Sequence, residues 1–233
     1  SVLFGMLCFW IVGLVFKFEH KCTGAMILAA GFPNVTYLGL PVLEQTFGPW
    51  ARSIVIQLDL FAISPLLFTL GIVVVRHYGK DSAEIHQPIW SFLNAPPFWA
   101  AGVAVLLNLN GLEAPLWLTA SLKLLSGAVV PLMLFSLGLA LSWKAIKVRN
   151  IPYILPAIAI KMILIPLFAI ILVDHLPMAN HYKAAAVLDL AMPSMVLGIV
   201  LCDRYQLDSS LYAMVVTCKR GSLTVKRFPF AGS

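Results

Sequence analysis

The chain has 233 residues, 61% of them hydrophobic and only 11% charged, with a formal net charge of +6. A soluble domain is nearer half apolar and a quarter charged, and a mean hydropathy of +0.92 means more apolar surface than a core of this size could hide. These figures exclude an ordinary soluble domain and predict an all-α protein embedded in a lipid bilayer; the basic residues fall in short loops without aromatic interleaving, which excludes a nucleic-acid partner.

A spanning helix needs about 20 apolar residues. The candidate runs are 1–16, 23–45, 51–75, 97–112, 116–142, 151–174 and 183–202, about seven spans. The first, opening Val2-Leu3-Phe4-Gly5-Met6-Leu7, has no basic stretch before it. It therefore does not read as a signal peptide, but as a segment from inside a larger protein.

The second run contains Gly31-Phe32-Pro33-Asn34-Val35-Thr36-Tyr37-Leu38-Gly39-Leu40-Pro41. A proline removes a backbone donor and clashes with the preceding turn, and glycine weakens the same helix. This span is predicted to break near mid-membrane. Freed backbone groups are tolerated there only against protein or a wet cavity, and transporters build substrate sites from such breaks.

The third run carries Gln57 and Asp59. The longest connection follows at about 76–96, with Arg76, Lys80, Asp81 and Glu84 and the ending Asn94-Ala95-Pro96-Pro97. It divides the chain into a first half, 1–90, and a second, 91–217. Lys123 lies near the start of its span, where snorkelling explains it. Lys161 lies about ten residues into its own span, too deep for that escape. The run at 183–202 carries Asp189 and a second candidate break, Ala191-Met192-Pro193-Ser194. From Ser209 an eighth apolar run begins and meets Cys218-Lys219-Arg220-Gly221, too polar to continue through hydrocarbon. Residues 218–233 form an atypical basic tail, expected where a native last helix has been lost or replaced.

Alternating the connections places Lys17, Lys21, Arg76, Lys80, Lys144, Lys147, Arg149 and Arg204 on one side, and only Arg52 and Lys183 on the other. The richer side is predicted to be cytoplasmic. Trp10, Trp50, Trp90, Trp99, Trp117 and Trp143 mostly fall near the expected interfaces and read as an aromatic belt.

Catalytic signatures are missing. The histidines sit in loops or at span ends, and HExxH, a nucleophile elbow and a P-loop are all absent from the sequence. Cys8, Cys22, Cys202 and Cys218 form no CxxC pair and no zinc spacing. No enzyme, cofactor or metal is expected.

The polar residues within spans are the candidate site. Asn34 and Thr36 could bind an anion together with half-helix amides, or Asn34 could only cap a half-helix. Pro41 and Pro193 make the crossover, and Gly39 would allow close backbone approach. Ser194 is a candidate substrate contact. Asp59 and Asp189 are acids at a depth where a carboxylate is costly and usually functional; each is a candidate for substrate binding or coupling, or for a structural pair with an intramembrane lysine, and Lys161 is a coupling candidate that could pair with either acid or offset an anionic substrate's charge.

Several stretches resemble the auxin efflux carrier family. They are Pro33-Asn34-Val35-Thr36-Tyr37-Leu38-Gly39-Leu40-Pro41-Val42-Leu43 followed by Phe47-Gly48, then Pro131-Leu132-Met133-Leu134-Phe135-Ser136-Leu137-Gly138-Leu139, then Lys161-Met162-Ile163-Leu164-Ile165-Pro166, and last Ala191-Met192-Pro193-Ser194 with Arg204-Tyr205. The likeness runs to about Thr217. It implies an inverted-repeat transporter of five plus five helices, with the fourth and ninth broken and crossing at mid-membrane. On that template the chain starts in the third helix, 23–45 and 183–202 are the crossover helices, and most of the tenth is missing. Gln57 would lie near the core site.

The resulting expectation is a secondary carrier that moves a small organic anion, such as a carboxylate, by alternating access. A proton is a candidate coupling ion, a second copy of the chain a candidate partner, and a bacterial inner membrane the expected location. The alternatives are a seven-helix receptor or sensor, and a non-functional carrier fragment.

Overall fold

A computed structural model describes residues 1–79, 96–111, 115–139 and 150–223. The expectations placed on Lys80, Asp81, Glu84, Lys144, Lys147, Arg149 and the last ten residues lie outside these. The described residues form helices joined by turns and short irregular segments, with one isolated backbone bridge and no strand among them.

In chain order the helices are α1 (Val2–Phe16), α2 (His20–Gly31), α3 (Leu40–Phe47), α4 (Ala51–Tyr78), α5 (Pro96–Leu109), α6 (Leu116–Leu139), α7 (Ile151–Asp174), α8 (Asn180–Leu190), α9 (Leu197–Arg204) and α10 (Ser209–Leu223). Two of them, α4 and α7, are single helices long and apolar enough to cross a membrane. They fall on the expected runs at 51–75 and 151–174. The runs at 23–45 and 183–202 are each split, into α2 with α3 and into α8 with α9.

The backbone of α10 stays helical to Leu223, past the charged Lys219 and Arg220. Helical hydrogen bonds close within the segment, so side chains unsuited to hydrocarbon do not by themselves end a helix.

The buried core is centred on α2, where every residue from Cys22 to Gly31 is buried. α1, α4, α7 and α10 pack around it. Small residues permit the close approach. A Cβ on Gly5 would lie 2.6 Å from the Ala30 carbonyl oxygen and 2.8 Å from Ile165 Cδ1, so α1 sits directly on the α2 backbone. This is how helices associate where the solvent is as apolar as leucine. The outer faces of α1, α4 and α7 expose Leu14, Val15, Phe61, Val73, Ile170 and Ile171, as lipid-facing helices do.

Among the described residues four turns are π-helical: Val35–Gly39, Asp59–Ile63, Leu67–Gly71 and Ile160–Leu164. Three of them end two residues before a proline, at Pro41, Pro65 and Pro166. A proline inside a helix lacks the N–H and clashes with the carbonyl four residues back. Widening the preceding turn moves that carbonyl away. Such bulges are frequent at functional sites.

Candidate functional site

The two breaks meet. α2 stops at Gly31, and Phe32 leaves it in an extended conformation. The extended residue Pro33 forms an antiparallel bridge with Ser194. The Asn34 amide donates to the Pro193 carbonyl at 2.7 Å, and the Met195 amide donates to the Phe32 carbonyl at 3.2 Å. Each broken helix thus supplies the partners that the other has lost, which the sequence could not reveal because about 160 residues separate the partners. Buried backbone groups must be paired somewhere, and in a bilayer only protein is available.

Ser194 is fully buried, and its hydroxyl donates to the Ala29 carbonyl in the last turn of α2. That carbonyl belongs to the set a helix end leaves unsatisfied. The hydroxyl is therefore engaged in the crossing itself, on an element 165 residues away.

Asn34 is 2% exposed. It does not cap with its side chain. Its backbone carbonyl accepts from the amides of Leu38 and Gly39, at 3.4 and 3.0 Å, to start the wide turn. Its side-chain nitrogen Nδ2 is buried without a hydrogen-bond partner.

Beside it lies a cavity of about 130 Å³, lined by Asn34, Thr36, Asp59, Ser64, Leu67 and Met195 among others. Both oxygens of Asp59 are engaged, Oδ2 by the Thr36 hydroxyl and Oδ1 by the Ser64 hydroxyl at 2.9 Å. Thr36 and Asp59 open two successive wide turns, Val35–Gly39 and Asp59–Ile63. The proline-driven bulges thus bring the polar side chains to one wall.

Asp189 sits on the other side of the wide turn. It is fully buried, and neither carboxylate oxygen has a hydrogen-bond partner. Its Oδ1 occupies the position that a Cβ on Gly39 would take. The approach expected at Gly39 is therefore made by a side chain of α8. Burying a bare carboxylate costs several kcal/mol, so this position calls for a proton or an opposite charge.

Lys161 does not supply that charge. It is fully buried, its Nζ has no hydrogen-bond partner, and among the described residues no ion pair joins it to Asp189 or Asp59. The wide turn that carries Lys161 packs on α1 and α2, whereas Asp189 is seated against Gly39. Their common depth in sequence hid their different neighbours.

Gln57 is a second correction. It is exposed and does not line the cavity beside Asn34. Two residues along a helix is about 200° of rotation, so Gln57 and Asp59 point to opposite sides of α4. Ser64 was missed from the sequence; it lies five residues after Asp59 and directly before Pro65. A polar residue within a wide turn and a proline five or six positions later, as in Thr36 to Pro41 and Asp59 to Pro65, is the signal that marks this wall; Lys161 to Pro166 has the same spacing but lies away from it.

Among the described residues no group of three or more His, Cys, Asp or Glu could hold a metal ion.

A family described as "Membrane transport protein" matches residues 83–220. A protein of Methanocaldococcus jannaschii named an uncharacterized transporter is 30% identical over 213 residues, which is 90% of this chain and 68% of that protein. One of Methanothermobacter thermautotrophicus, similarly named, is 29% identical over 83% of this chain and 62% of its own length. The uncharacterized transporter YfdV of Escherichia coli is 23% identical over 82% of this chain and 61% of its own length. The chain therefore spans roughly two thirds of the length of these relatives. No solved structure matches it.

Proposed function

Because this chain belongs to the auxin efflux carrier-like family of membrane transport proteins, we propose that it acts in an integral-membrane secondary carrier for a small organic anion such as a carboxylate. The family is one of transporters, not enzymes. The observation that carries the reading is the crossing at Pro33 and Ser194, with the unpartnered Asn34 amide beside a small polar-walled cavity. An unsatisfied buried N–H donor costs about 1–3 kcal/mol. A carboxylate oxygen received from a substrate would recover that cost.

The second element of the proposal is a proton. The cavity wall already holds the Asp59 carboxylate, and Asp189 lies behind it. A second negative charge is unfavourable beside these acids unless one of them is neutral. Entry of the anion together with a proton meets that requirement, with Asp59 and Asp189 as the acids and Lys161, whose turn packs on α1 and α2, as a further coupling candidate. The carrier would alternate access by moving the crossed helices as one body against the rest. In this scheme 1–90 and 91–217 are parts of two inverted repeats, and a bacterial inner membrane is the proposed location.

The test is uptake of a panel of radiolabelled small carboxylates by proteoliposomes, with and without an imposed pH gradient. Saturable uptake of one member, accelerated by the gradient and abolished in Asn34→Ala and Asp189→Asn variants that still fold, is expected. Uptake indifferent to both substitutions would sink the site assignment.

A further inference from the structure

The cavity at the crossing has a volume of about 130 Å³. A cavity of about 150 Å³ is filled by one benzene ring, roughly six non-hydrogen atoms. A ligand that fits here is therefore no larger than about six such atoms. Two flank cavities are larger, about 430 Å³ between α7 and α8 and about 360 Å³ between α1, α2 and α4. Among the described residues, no side chain lining those two holds a buried polar atom without a partner. The small cavity at the crossing does.

The wall of that cavity is chemically one-sided. Among the described residues that line it there is no lysine, arginine or histidine. Asn34 carries the buried side-chain donor that lacks a partner, Nδ2. Tyr37 also lines the cavity, but it is 43% exposed and is not a donor stranded away from water. Thr36 and Ser64 each give their hydroxyl proton to Asp59. A hydroxyl has one donor and two acceptor lone pairs, so what these two keep for a ligand is acceptor capacity. The rest of the lining, Leu67 and Met195 among it, is apolar.

Each of these features narrows the class of anion. One unpartnered amide answers one carboxylate. A second carboxylate would be buried near Asp59 with neither a cation nor a free buried side-chain donor to receive it, which is strongly unfavourable. A hydroxyl on the ligand can donate to the Thr36 or Ser64 oxygen, an interaction that the unsubstituted acid of the same length leaves unmade.

We propose that the cavity selects a hydroxy monocarboxylate of at most about three carbons. The proposal rests on the carrier reading above and adds to it a size, a single charge and a hydroxyl.

The experiment is equilibrium binding of radiolabelled lactate to the purified chain in detergent, competed by unlabelled acids. Glycolate and lactate are expected to compete about tenfold more strongly than acetate and propionate, the same acids without the hydroxyl. Malonate and succinate carry two carboxylates and should not compete, nor should phenylacetate, which is too large. Ser64→Ala combined with Thr36→Val should bring lactate down to the level of propionate. Val196→Ala, which enlarges the cavity, should admit 2-hydroxybutyrate. Equal competition by lactate and propionate overturns the proposal, and so does succinate or phenylacetate competing as well as lactate. If labelled succinate binds in place of lactate and Asn34→Ala abolishes that binding, the proposal fails while the carrier reading stands. If no labelled carboxylate binds, or if binding is indifferent to Asn34→Ala, the carrier site itself fails and the proposal with it.

Discussion

The Asp189 carboxylate stands where Gly39 would carry a side chain, so the first wide turn and helix α8 fit together only because position 39 is glycine. The two residues are far apart in sequence, and the carboxylate accepts no hydrogen bond at this contact. The fit is steric, and it places an unpartnered acid directly behind the turn that holds Asn34 and Thr36.

Gly39→Ala should therefore separate the turn from α8. Overpacking of a tight contact costs about 1–3 kcal/mol, so a lower melting temperature in detergent and loss of uptake are expected together. Gly102→Ala is the matched control. Nothing lies within 4 Å of a Cβ there, and alanine is the better helix former by about 1 kcal/mol. Equal behaviour of the two variants would show that the Asp189 contact carries no constraint.

Thr36→Val removes the hydroxyl that donates to Asp59 Oδ2 while keeping the side-chain volume. Hydrogen bonds to charged groups contribute about 1.5–3 kcal/mol. The expected result is uptake reduced by about tenfold or more with thermal stability lowered only modestly, because Thr36 and Asp59 are only partly buried. Thr36→Ser should restore uptake. Failure of serine to restore it would separate the effect from the hydroxyl.

Lys161→Met replaces a fully buried lysine side chain whose Nζ lacks a hydrogen-bond partner with an apolar chain of similar length. Exchanging buried charge for well-packed apolar groups is often neutral or stabilising by about 1–4 kcal/mol. A raised melting temperature with lost uptake is expected, since a costly group kept in this position serves transport and not the fold. A variant that is less stable and still transports would refute that assignment.

Tyr212 tests the second broken helix. Its hydroxyl donates to the Met195 carbonyl at 2.9 Å, and it lies where a Cβ on Gly198 would stand. Tyr212→Phe should destabilise by about 1 kcal/mol through the lost hydrogen bond. Gly198→Ala should cost more, about 1–3 kcal/mol, because the fully buried ring cannot retreat. Thermal melts of the two variants give the order directly.

Local chemistry carried much of the fold into view. Pro33, Pro41 and Pro193 each lack an amide hydrogen, so the breaks after Gly31 and Leu190 were legible. The apolar runs of α4 and α7 were legible for the same reason, since length and hydropathy are properties of one segment. Gln57, placed near the core site by the family likeness, is exposed here, and two residues of helix put it opposite Asp59. Lys161 misled because depth along its own span says nothing of which helix it will meet.

The sequence by itself determined that this is a membrane transporter chain with two interrupted helices, because composition, proline placement and family likeness are all written along one strand of residues. Only the tertiary structure decided what the interruptions do. The pairing of Asn34 with Pro193, the Ser194 hydroxyl on Ala29, and the Asp189 carboxylate against Gly39 join segments more than a hundred residues apart. Which orphaned groups find each other across such distances depends on how whole helices pack, and no local rule fixes that.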